Sequence, residues 1–135
     1  MNLPATQSAA LDALTRRALS HHRARARALG QSLDYTAADL VQLVETSPLC
    51  RWCRLPVGFQ DMQIDHLDPL GRGGQHQLHN LAVACSRCNL LRGQMSQAAT
   101  LELLEMLGGW HPLDADDLSR RAIAGGRRYA RRRAR

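Results

Sequence analysis

"CSRCNLLRG", residues 85–93, places two cysteines three apart and sets an asparagine directly after the second. A pair at this spacing presents two thiolates on one tight turn, half of what a tetrahedral ion needs. The other half lies upstream in Cys50 and Cys53, separated from Cys85 by residues 54–84. Four thiolates close the shell of Zn2+ and leave no open position, so a site of Cys50, Cys53, Cys85 and Cys88 is expected to be structural. Two alternatives stand beside zinc. A redox pair would sit at a helix N-terminus in a βαβ context, and two separate pairs disfavour it. Buried free thiols are the other. The span between the knuckles exceeds that of a minimal zinc ribbon and leaves room for an insertion.

The chain has 135 residues, 44% apolar, with five aromatic residues. That is one domain of ordinary size with extensions and a thin core, for which a metal staple would compensate. No apolar run approaches the ~20 residues of a membrane helix. With only four cysteines and no secretory signal peptide, the composition fits a reducing compartment, and an intracellular, cytoplasmic location is expected, a phage-encoded protein included. All eighteen basic residues are arginine. Five lie between 16 and 27 and eight between 120 and 135, with no acid in either stretch. The rest of the chain carries five arginines against twelve acids. Basic ends on an acidic body point to a polyanion partner, most simply DNA, held through its phosphates; solvated helix faces are the plainer alternative. Residues 1–30, rich in Ala and Arg, also resemble an organellar transit peptide.

Along the chain, residues 8–29 read as a helix ending at Gly30, with His21-His22 part of a basic arm. Thr36 and Asp39 form a capping box, Tyr35 staples onto Leu40, and Pro48 ends that helix. An irregular knuckle follows at 49–61. "MQIDH" (62–66) and "NLAVA" (80–84) read as short strands around a Gly-rich loop, "GRGGQ" at 71–75. A short helix is expected from about Ser86, another capped by Ser96 and stopped by Gly108, and a last one from Asp114. His76, His79 and His111 read as loop or surface residues, and Trp52 as a shield over the zinc.

The insertion carries "IDHLDPLGRGGQHQLHNL", residues 64–81: Asp65-His66 ahead of Pro69, then Gly73-Gly74, then Asn80-Leu81. With the Cys-x-x-Cys-Asn of residues 85–89, this order resembles the HNH endonuclease family, in register from 48 to 95. The resemblance implies an α+β fold: a ββα-metal core with a four-cysteine zinc site, flanked by helices and basic arms. With the helices and basic ends read above, which lie outside the resemblance, the chain is expected to divide into a basic helical arm (1–30), a nuclease domain (31–112) and a helix with an Arg-rich tail (113–135). Carried over by position, His66 is the general base, Asp65 and Asn89 ligate a catalytic divalent ion, and Asn80 holds the loop that aims His66. The family's lysine is Arg92 here, and the glycine often found after the first Cys-x-x-Cys is Arg54.

The residues agree with that chemistry. Hydrolysis of a phosphodiester needs an activated water, a proton acceptor and positive charge on the developing phosphorane. Histidine takes protons near neutral pH. One carboxylate and one amide oxygen form a hard half-site suited to Mg2+ or Mn2+. Arg92, Arg72, Arg127, Arg128, Arg131, Arg132 and Arg133 are the expected phosphate contacts. Adjacent strand residues face opposite sides, so Asp65 and His66 can share a site only if the strand ends or bulges there. Asn89 as a plain helix N-cap, and a non-catalytic zinc module that binds nucleic acid or a protein, are the competing readings. Biological role, sequence preference and oligomeric state are not encoded in these motifs.

Overall fold

The structure, a computed structural model, describes residues 3–108. The helix expected from Asp114 and the tail bearing Arg127, Arg128, Arg131, Arg132 and Arg133 lie outside the described residues, as does His111. The fold is α+β: α1 (Ala5–Ala28), α2 (Ala37–Thr46), β1 (Met62–His66), β2 (Leu81–Cys85), α3 (Ser86–Arg92) and α4 (Gln97–Leu107).

Local signals set most boundaries. Thr36 accepts from the Asp39 amide, and the Asp39 carboxylate accepts from the Thr36 amide at 2.8 Å, so the capping box is complete. Such a cap stabilises a helix by about 1 kcal/mol. Ser96 caps α4 by accepting from the Ala99 amide, and Gly108 ends it in the left-handed region that a β-carbon disfavours. The strands pair antiparallel, from Met62 opposite Cys85 to His66 opposite Leu81. Period-two alternation sends Met62, Ile64 and His66 to one face, where they are buried, and Gln63 and Asp65 to the other.

Two short 3-10 turns, Leu70–Arg72 and Leu78–Asn80, carry the chain from β1 back to β2. The loop folds so tightly at Gly74 that a β-carbon there would lie 1.9 Å from the Asp68 carbonyl oxygen. Only glycine fits. Asn80 stitches the loop shut, its Oδ1 accepting from the Asp68 amide at 2.9 Å and its Nδ2 donating to the Asp68 and Gln75 carbonyls.

Two apolar clusters hold these pieces together. In the first, Leu11, Leu14 and Leu19 of α1 pack with Leu40 and Val44 of α2 and with Ile64 and Val83 of the sheet. Each large side chain buried in this way contributes roughly 1.5–3 kcal/mol. The second surrounds the cysteines and joins Trp52 to Leu91, Met95, Ala99 and Leu103. The apolar stripe of residues 5–28 completes the first cluster while their arginines face outward. Among the described residues no helix is long and apolar enough to cross a membrane.

Candidate active site

The clasp forms at the junction of both strands. Cys50 opens the first knuckle, where its amide donates to the Leu55 carbonyl and its carbonyl accepts from the Arg54 amide. Arg54 takes φ 64°, the conformation that glycine adopts freely, so arginine carries here a left-handed turn costing roughly 1–2 kcal/mol. The Arg51 amide donates to the Val83 carbonyl at 2.8 Å and ties this knuckle to β2. Cys85 caps α3 by accepting from the Cys88 amide. The four sulfurs lie within 4.8 Å of one another, and none is in a disulfide. Sulfurs around a tetrahedral Zn2+ sit about 3.8 Å apart, so small adjustments close the shell. A Cys88 hydrogen bond holds the Cys50 thiol below its ordinary range, whereas burial pushes the Cys53 thiol up.

Because Cys85 is the cap, Asn89 is not the N-cap of α3; it lies one turn inside the helix, directly after the clasped Cys88. Its amide donates to the Gln63 side chain of β1. That contact engages the Asn89 Nδ2 and leaves its side-chain oxygen, Oδ1, free to face the cleft. Gln63 and Asp65 share one face of β1, and both look toward α3.

A cleft of about 330 Å³ runs along the edge of β1 that is not paired with β2. A free strand edge collects side chains from both faces, which resolves the geometric difficulty at Asp65-His66: the neighbours point to opposite sides of the sheet and still line one cleft. Asn89 lines it from α3. The opposite wall is a face of α1: Arg17, Ala18, His21, His22 and Arg25.

His66 is only 3% exposed and belongs to a cluster. Its Nε2 lies 3.2 Å from His76 Nδ1, with the rings edge to face, and the His22 ring is 4.8 Å away between centroids. Tyr35 in turn lies 2.7 Å from His22 Nδ1 through its hydroxyl. Burial, reinforced by His22 and His76, pushes His66 down to about 3; burial with His76 pushes His22 down to about 4. His76 is lowered by burial and by Arg25, and Tyr35 is raised to about 12 by burial. The rings are neutral at pH 7. His22 and His76 are buried: His76 is a loop residue, as its surroundings in the sequence imply, but not a surface one, and His22 is turned inward from α1, whereas His79 is exposed as expected.

Arg92 also departs from expectation. It is 2% exposed, and its guanidinium donates to the carbonyls of His66 and Met95, each at 2.7 Å, and to that of Leu67. Asp65 lies 3.6 Å from one guanidinium nitrogen, and the Trp52 ring lies beneath the group at 4.5 Å. An arginine spent on three carbonyls is a brace for the end of β1, not a hand extended to DNA. Arg72 lies on the first 3-10 turn of the loop.

The paired cysteines, the strand pair and the helix that follows them enclose Asp65, His66, Asn80 and Asn89 in one contiguous segment. Residues 50–94 match the HNH endonuclease family. The match coincides with the stretch whose motifs carried the resemblance, and the two-stranded sheet with α3 and the cysteine cluster fits the ββα-metal architecture. HNH domains are generally nucleases, so a nucleic-acid substrate is the class to which this segment points. No curated protein matches the chain. The cleft is wider than the HNH segment. Arg17, His21, His22 and Arg25 lie upstream of it, and the motif gives no hint of them. A trace of the signal exists in the stripe Leu11, Thr15, Leu19, His22, Ala26, which recurs at helical spacing and is buried throughout.

Proposed function

We propose that this protein is a metal-dependent DNA endonuclease whose cutting site is the Asp65–His66–Asn89 cleft. What supports it is convergence: the adjacent carboxylate and imidazole at the end of β1 and, remote from them in sequence, the Asn89 amide of α3 line one cavity. Cys50, Cys53, Cys85 and Cys88 would hold a structural Zn2+, and Asp65 and Asn89 would hold a single Mg2+ or Mn2+. When bound, that second ion supplies positive charge to the phosphate and to the leaving oxygen.

The remaining work falls to the chain itself. His66 takes the proton of the attacking water. With its own proton on Nε2, donated to His76 Nδ1, the ring keeps a lone pair on Nδ1 for that transfer. This tautomer puts the proton of His76 on Nε2, which is buried without a partner. A phosphate anion in the cleft raises the proton affinity of His66, offsetting part of what burial lowers. Asn80 and Arg92 fix the backbone on both sides of the turn after His66, and His76 and His22 pack against its ring. Gln63 orients the Asn89 amide so that its oxygen, not its nitrogen, is offered to the ion.

Nicking of a supercoiled plasmid tests this. Relaxed circles should accumulate with Mg2+ or Mn2+ and stop on chelation, and one core should cut one strand per event. Zinc-loaded protein that binds DNA and leaves the plasmid intact with every divalent ion would favour the non-catalytic module.

A further inference from the structure

The five arginines of α1 are not equivalent. At 3.6 residues per turn, Arg17 and Arg25 fall on the side of the helix that lines the cleft, while Arg16, Arg23 and Arg27 cluster on the opposite side. Neither Arg17 nor Arg25 has an acidic partner among the described residues, whereas Arg16 pairs with Asp12 on its own helix. Asp65 is the one carboxylate lining the cleft. Two unneutralised guanidinium groups facing a cleft with a single acid create a field that concentrates anions.

Their spacing is informative. Eight residues at 1.5 Å rise separate the two arginines by about 12 Å along the helix axis. Successive phosphates of one DNA strand lie roughly 6–7 Å apart through space, so the pair spans about two steps. His21, exposed and midway between them, also lines the cleft.

We propose that the Arg17–His21–Arg25 face of α1 is a strand clamp: it grips the backbone phosphates on either side of the bond presented to Asp65, His66 and Asn89. The substrate strand then lies between α1 and the free edge of β1, and α1 is part of the cutting site. This inference rests on the nuclease reading of the cleft. Its partner is a nucleic-acid strand recognised through phosphate charge, not through bases.

Two charge-matched variants test it, Arg17→Ala with Arg25→Ala and Arg16→Ala with Arg23→Ala. All four arginines are exposed and alanine is a stronger helix former, so α1 survives in both. Binding to a fluorescent 20-base-pair duplex is measured across salt concentration without added divalent ion, so that no cutting intervenes. The cleft variant should lower the slope of log K against log salt by about 2, and the outer variant by much less. With Mg2+, plasmid nicking by the cleft variant should fall about tenfold or more near 150 mM salt, while the outer variant stays near wild type. Equal losses of binding in the two variants, or none in either, overturn the clamp. A wild type that binds with the predicted asymmetry and never cuts overturns the nuclease reading and leaves the clamp standing.

Discussion

Replacing His66 by alanine should cut plasmid nicking by roughly 10²–10⁴-fold, the usual share of a general base, while zinc content and DNA binding persist. The loss concerns rate because the ring is no part of the clasp and meets α1 through the buried His22 ring, not through its exposed arginines. It has a structural cost as well. His66 is buried, and its removal strips His76 Nδ1 of its partner, which costs about 1–3 kcal/mol. A parallel His66→Asn variant keeps a polar group near His76 and separates the two effects: it should recover stability and not rate. Nicking is compared at equal folded fraction, set by circular dichroism. If the alanine variant cuts as fast as wild type, His66 is not the base.

Removing the structural metal should have the largest effect on the fold. Cys88→Ser is expected to abolish stoichiometric zinc by elemental analysis and to lower the melting temperature by more than about 20 °C. Structural zinc sites carry apparent binding energies of roughly 10–16 kcal/mol, as much as the whole stability of a typical domain. The core offers little reserve, because the second apolar cluster is assembled around Cys50 and Cys88 themselves. The consequence reaches the site directly. Asn89 follows Cys88 in the first turns of a helix only seven residues long, too short to persist alone. Losing the clasp therefore removes Asn89 from the cleft. An unchanged melting curve, together with wild-type protein that contains no zinc, would refute this dependence of the site on the clasp.

What was legible in the sequence was mostly local. Thr36 and Asp39, Ser96 and Gly108 announce their helices because capping is decided by a few neighbouring residues. β1 was readable residue for residue from MQIDH, and β2 to within one residue, because one buried face imposes a period of two. The HNH pattern singled out Asp65, His66, Asn80 and Asn89, and the structure lines one cleft with Asp65, His66 and Asn89. Hidden were the features made by packing between distant segments. His76 stands in a loop of polar residues, and nothing nearby says that His66 and α1 close over it. His22 sits among arginines, and its membership of a buried stripe emerges only once α1 is laid along β1. Arg92 illustrates the opposite error. It stands where the family has lysine and suggests a phosphate contact, yet it falls on the buried side of α3 with Cys88, where its planar fork serves three carbonyls at once.

Mn2+ soaked into crystals and located by its anomalous scattering examines the central claim most directly, that the clasp brings Asn89 and Asp65 to a single ion. One peak is predicted at the free edge of β1, with an oxygen of each residue at about 2.1 Å and a His66 nitrogen facing the open coordination positions. An ion bound by neither residue, or Asp65 and Asn89 turned away from each other in every crystal form, would contradict it.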